Sequence, residues 1–277
     1  MVERFFRYAD ERFQIGERKV CGQGKPWTAD PILQSYRFCN VFREDDKVTQ
    51  WLRTNVREPL RENSVVIPAV ITCRFFNRIE SMEILVKNDL HIMRWPAEMR
   101  LAFKGVKPIV GAAYIIKTPN GMSKLDGIIW ILNNIWDAFV EGSLQSGVAK
   151  HQSMERLVNY LTTFPYIGKF TAYEIACDLQ YTDLFKPTDT MSWANPGPGA
   201  QRGLQRIMNG AVGGGKLYDS VMLAAMQELL RLSHQEHYWQ WKRQWDMRTV
   251  EHTLCEFDKY ERARLGEGTP KQKYQGH

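Results

Sequence analysis

At 277 residues, 44% of them hydrophobic, the chain carries enough apolar material for a buried core, so disorder is not the default expectation. Its 37 Lys and Arg against 31 Asp and Glu leave a formal charge of +6, which permits a polyanionic partner without demonstrating one. No apolar run approaches about 18 residues, and Met1 to Arg7 lacks the apolar core of a secretion signal, so the sequence reads as soluble and intracellular with no membrane partner.

In chain order, the first periodic stretch covers residues 31–53 and predicts one helix opening at Asp30-Pro31, with Leu33, Tyr36, Val41, Val48, Trp51 and Leu52 on its apolar face. Arg37, Asn40 and Glu44 fall on the other face, at i, i+3 and i+7. Residues 67–86 and 125–142 read as core helices. Between them, Ala113 to Lys117 and Met122 to Leu125 flank the turn signal Thr118-Pro119-Asn120-Gly121, which predicts a small β-hairpin. Helices are expected at 153–163, 169–180, 201–209, 217–232 and 235–262, broken most strongly by Asn195-Pro196-Gly197-Pro198-Gly199. The residues after Leu265 are polar and read as a frayed tail.

The cysteines, Cys21, Cys39, Cys73, Cys177 and Cys255, form no CxxC pair and have no metal-spaced histidine. They suit a reducing cytoplasm, and four of them read as packing residues. The spacing therefore predicts no zinc site and no resident cofactor, leaving a divalent metal open. Gly210 to Leu217 nearly spells a P-loop, yet Leu217 has no hydroxyl for magnesium and the preceding residues read as helix rather than strand. A self-sufficient kinase is not expected.

The segment Leu161 to Ala172 places Phe164-Pro165-Tyr166-Ile167-Gly168 as a tight turn between two helical patterns. Backbone N–H groups at the start of the second helix could receive a DNA phosphate, with Tyr166, Gly168 and Lys169 at the contact, or the turn could be an ordinary helical hairpin. This stretch resembles the helix-hairpin-helix of the DNA glycosylase superfamily, and Thr188-Asp189-Thr190 resembles that superfamily's aspartate followed by threonine. The resemblance implies a mainly α fold, a two-lobed helical domain over 1–265 with the hairpin at 155–180, a flexible tail over 266–277, and base flipping as the route to the substrate. Phe170 stands where lyase-competent members keep a Schiff-base lysine, and Lys169 is turned about 100° away, so strand-cleaving chemistry is not expected.

The segments 25–33, 36–44, 76–80, 111–117, 193–200 and 250–260 resemble a phage family first described as alpha-glutamyl/putrescinyl thymidine pyrophosphorylases, whose related helical domains also occur in 5-hydroxymethyluracil DNA kinases. That resemblance implies thymidine hypermodification of bacteriophage DNA in the host cytoplasm, a means of restriction evasion, in which an amino acid or polyamine displaces the pyrophosphate of an activated 5-hydroxymethyluracil. Double-stranded DNA, the amine and a 5-hydroxymethyluracil DNA kinase are the partners it implies. An ionising carbon–oxygen bond needs cations around the leaving group and a carboxylate to take the amine's proton. Asp189 is the first candidate for that base or an orienting role, and Glu44 the second. Arg37, Arg43, Arg78, Lys117 and Lys124 are candidates for phosphate, Asn40 and Asn77 for the uracil edge, and Asn195 for a loop against the flipped nucleotide. The alternatives are structural: Arg37, Arg43 and Glu44 as an exposed ion-pair face, Arg78 paired with Glu80, Lys117 and Lys124 on the surface of the hairpin, and Asp189 as a helix cap. A glycosylase that excises a modified thymine and a non-catalytic DNA-binding module remain competing functions.

Overall fold

The computed structural model describes residues 1–92, 95–112, 115–270 and 273. Along the chain the helices are α1 (Val2–Val20), α2 (Pro31–Ser35), α3 (Lys47–Leu52), α4 (Val66–Phe76), α5 (Ile79–Lys87), α6 (Pro96–Ala102), α7 (Lys124–Val140), α8 (Ser143–Lys150), α9 (Met154–Leu161), α10 (Lys169–Leu179), α11 (Pro198–Asn209), α12 (Asp219–Ser233) and α13 (Met247–Arg264). Among the described residues the only β pairing outside helices is an isolated antiparallel bridge between Tyr36 and Lys273. The mainly α expectation holds.

The chain divides into two compact units, one of residues 1–46 with 190–277 and one of residues 47–189. In the second unit α4 is the core element, with every residue from Val66 to Phe76 buried. A helix that is apolar on all sides is stable only when surrounded. α4 ends because Asn77 turns left-handed at φ 43°. Gly111 then crosses so closely that a Cβ would stand 2.2 Å from the Asn77 carbonyl oxygen, and its N–H donates to the Phe76 carbonyl. Asp178 of α10 is fully buried and accepts from Arg57 at 3.2 Å and Arg74 at 3.0 Å, while Arg74 also donates to Asn77 Oδ1.

The first unit is organised on α13, whose Phe257 packs edge-on against Phe5 of α1, with Phe6 and Trp245 completing an aromatic core. α11 lies against α13 at Gly203, where a Cβ would meet the Leu254 carbonyl oxygen at 2.5 Å. Beyond α13, Glu267 pairs with buried Arg206 at 2.6 Å and Pro270 is buried.

Several predicted elements differ. The helix over 31–53 is interrupted: α2 stops at Ser35, and the chain runs irregularly until a 3-10 turn at Arg43–Asp45. The Asp46 and Glu256 carboxylates accept the amides of Asn40 and Cys39, so tertiary hydrogen bonds replace the helical ones. Phe38, Val41 and Phe42 are buried without that helix. The helix over 67–86 breaks at Asn77 into α4 and α5. The second arm of the expected hairpin is instead the start of α7, where Ser123 accepts from the Asp126 amide at 3.1 Å, a local cap that competes with strand pairing. Ala113 and Tyr114 of its first arm lie outside the described residues. The helix over 235–262 begins only at Met247, because Asp246 caps it and the residues before it turn Trp239 and Trp245 into the core.

Candidate functional site

In the second unit, α9 and α10 form a helical hairpin joined by residues 162–168. Ile167 is buried and anchors the turn, while Tyr166 is 45% exposed with φ 63°, a conformation a bulky side chain seldom adopts. Trp130 meets the Tyr166 ring edge-on at 5.9 Å. Phe170 is 51% exposed, because its place in the first turn of α10 faces away from the buried side formed by Ala172, Ile175, Ala176 and Leu179. Gly168, the N-cap of α10, has no side chain of its own to cap the helix; its φ of −82° is one any residue could adopt, and a Cβ there would meet nothing within 4 Å. The hairpin thus presents a helix N-terminus whose N-cap is a glycine beside Lys169, Tyr166 and Phe170, an arrangement able to receive an anion and stack on a planar group.

Asp189 lies at the other end of α9. Its carboxylate accepts the amide of Met154 at 2.6 Å and that of Glu155 at 3.2 Å, while Ser153 accepts the amide of Arg156. The aspartate therefore caps an earlier helix in the chain rather than the next one.

In the first unit a polar cluster joins segments more than 200 residues apart. Asn40 Nδ2 donates to Asp46 at 3.1 Å, its Oδ1 accepts from Arg12 at 2.7 Å, and Arg43 donates to Asp46 at 2.9 Å and lies 3.7 Å from the Cys39 sulfur. Arg12 is 5% exposed; Nη2 also reaches the Phe38 carbonyl, whereas Nε and Nη1 make no hydrogen bond among the described residues. From α13, Glu256 accepts the Cys39 amide and the Lys259 ammonium, both at 2.9 Å. Burial works against the Glu256 charge, yet Lys259, His252 and the Cys39 amide hold its carboxyl below the usual range. Burial, Glu256 and Asp46 push the Cys39 thiol up to about 12. The Tyr8 hydroxyl, buried beside this cluster, is also raised, first by burial and then by Glu256. Glu44 faces Arg248 at 3.6 Å, both largely buried, so this acid belongs to the same cluster's surroundings rather than to an exposed helix face.

The remaining predicted residues are dispersed. Arg37 and Lys117 are exposed, and Asn195 is half-buried in the loop before α11. Arg78 donates to the Pro108 carbonyl and pairs with Glu80 at 3.2 Å. Lys124 donates to the Ile116 carbonyl at 2.7 Å, tying the connector to the start of α7. Asn77 is buried against Arg74. The glycine loop after α11 follows a helix, and Gln205 donates to the carbonyls of Gly213 and Gly215.

Sequence reasoning did not single out Arg12, Asp46, His252, Glu256 and Lys259. Residues 250–260 did carry a family motif, so the signal for His252, Glu256 and Lys259 was present without a role attached.

The arrangement defines a mainly helical protein with a helical hairpin in one unit and a buried ionic cluster in the other. A family model described as 5-hmdU DNA kinase, helical domain, matches residues 1–269, and the chain belongs to that family. The 5-hmdU DNA kinase of Bacillus phage SP10 is 26% identical over 284 residues, an alignment that covers 93% of this chain and 44% of that kinase. The chain thus spans less than half the length of this relative. No solved structure matches. Among the described residues no helix is long and apolar enough to cross a membrane.

Proposed function

We infer that this chain acts in thymidine hypermodification of phage DNA, transferring an amino acid or polyamine onto the methylene of a pyrophosphorylated 5-hydroxymethyluracil. The observation that carries this reading is the cluster of the first unit, in which Arg12, Arg43 and Lys259 stand among Asp46, Glu256 and the Glu44–Arg248 pair, with two Arg12 donors unspent. Such a set supplies both requirements of the reaction: cations for a departing pyrophosphate and carboxylates for the amine's proton. The methylene carbon–oxygen bond breaks with its electrons leaving on pyrophosphate. The amine nitrogen forms the new bond to carbon, and its proton passes to a carboxylate, with Glu44 the candidate in this unit. Asp189, both of whose oxygens accept helix amides, fits an orienting role better than that of a base. The hairpin, by its glycine-capped N-terminus and exposed aromatic rings, would hold the duplex without reading its sequence.

The test is direct. DNA bearing pyrophosphorylated 5-hydroxymethyluracil is incubated with the chain and a panel of amines, then digested to nucleosides for mass spectrometry. A nucleoside heavier by the amine, with pyrophosphate released, is expected; no such product with any amine overturns the reading, and free base with abasic sites would point to a glycosylase instead. A second reading is favoured by the match to under half of a kinase: a DNA-binding module that serves a 5-hydroxymethyluracil DNA kinase. It predicts DNA binding without product, and faster phosphorylation when such a kinase is added.

A further inference from the structure

Cys39 Sγ, a carboxylate oxygen of Asp46 and a ring nitrogen of His252 all lie within 4.8 Å of one another, each half-buried. They arrive from the irregular segment after α2, from the end of the following 3-10 turn and from the second turn of α13. Donors on a tetrahedral ion stand ~3.5 Å apart, so small side-chain rotations bring the three onto one ion. A thiolate excludes the hard oxygen-seeking cations, and the mixture of sulfur, imidazole and carboxylate suits zinc. A thiolate and a carboxylate supply the two negative charges a divalent ion needs, provided Arg43, which donates to Asp46 at 2.9 Å and lies 3.7 Å from the Cys39 sulfur, swings away as the ion binds.

The surroundings point to a ligand independently. Tyr8 and Arg12 are each 5% exposed, and the Tyr8 hydroxyl and the Arg12 Nε and Nη1 make no hydrogen bond among the described residues. Arg12 is joined to Asp46 through Asn40, and Tyr8 lies in the electrostatic range of Cys39 and Glu256. Buried donors of this kind cost free energy unless something accepts from them. Three protein ligands leave a fourth position on zinc for water or a substrate oxygen, which is such an acceptor.

We propose that Cys39, Asp46 and His252 bind one zinc ion. This assignment is independent of the transfer reaction, since its measurement requires neither DNA nor amine. The metal-stripped chain is titrated with zinc, and with cobalt, whose thiolate charge-transfer absorption reports a sulfur ligand. One ion per chain is expected, with affinity lowered at least about tenfold in His252→Gln and Asp46→Asn. Because these variants could misfold, the unaltered chain is also alkylated with and without zinc and its cysteines mapped. Zinc should protect Cys39 while exposed Cys21 reacts equally in both samples. Cys39 alkylation unchanged by zinc, or a metal content well below one ion per chain, would overturn the proposal and leave an ion cluster held by Arg43 alone.

Discussion

Asp189 performs one task whether or not it meets substrate: it supplies two acceptors to the first turn of α9. Asp189→Ala should therefore cost about 1–2 kcal/mol of stability, the ordinary range for a lost cap, and show as a lower Tm. Asp189→Asn keeps one acceptor and should lose less stability; under the proposed function it should still impair DNA modification, so comparing Tm with product yield separates capping from catalysis. An unchanged Tm in the alanine variant would contradict the capping role. A second residue sets a pH dependence. Burial lowers the His91 pKa below its ordinary value near 6.5, although the Leu85 backbone and Asp89 pull the other way. The unfolded chain therefore binds the proton more readily, and the His91 contribution is complete above about pH 6.5 and is lost as pH falls through the folded-state value. Urea titrations from pH 7.5 to 5 should show stability falling with acidity, with a shallower slope in His91→Gln.

At the scale of elements, the hairpin between α9 and α10 offers the sharpest separation of fold from function. Gly168 needs neither a left-handed backbone nor the space of its missing side chain. Gly168→Ala should leave the folded state nearly unchanged while weakening duplex binding, if a phosphate approaches this N-terminus closely. Phe170→Ala should likewise reduce DNA affinity, by about 1–3 kcal/mol if a base stacks on the ring, with little change in Tm because the ring is half exposed. Lys169→Glu should weaken binding most at low salt, since its contribution is electrostatic. Electrophoretic or fluorescence titrations at two ionic strengths measure all three, and variants that bind like the parent would remove the hairpin from the DNA interface.

Across the whole molecule, each unit keeps its own buried charge centre: Asp178 with Arg57 and Arg74 in one, and Asp258 with Arg202 and Arg206 in the other. Removing one partner from such a centre strands the rest of the charge in a low-dielectric core. Asp178→Ala should cost about 3–5 kcal/mol, and amide exchange should accelerate first in α4 and α10, which hold the arginine and the aspartate. Equal acceleration in α13 would argue that the two units unfold as one.

The sequence by itself determined the helical class, the core helix read over 125–142 and found at Lys124–Val140, the hairpin at Phe164 to Gly168 and the family motifs. These signals are local, resting on apolar periodicity, a Pro/Gly turn and contiguous strings of residues. Even so, α1 went unread, and the 31–53 periodicity misled, because side chains of Asp46 and of Glu256, more than 200 residues downstream of Cys39, take the amides that a helix would have used. The grouping of Cys39, Asp46 and His252 is of the same kind, since no spacing rule relates positions 39, 46 and 252. Only the tertiary structure decided that cluster, the cap made by Asp189 and the outward face of Phe170. Burial and long-range hydrogen bonds, which decide all three, depend on which segments meet in space rather than on which are neighbours in the chain.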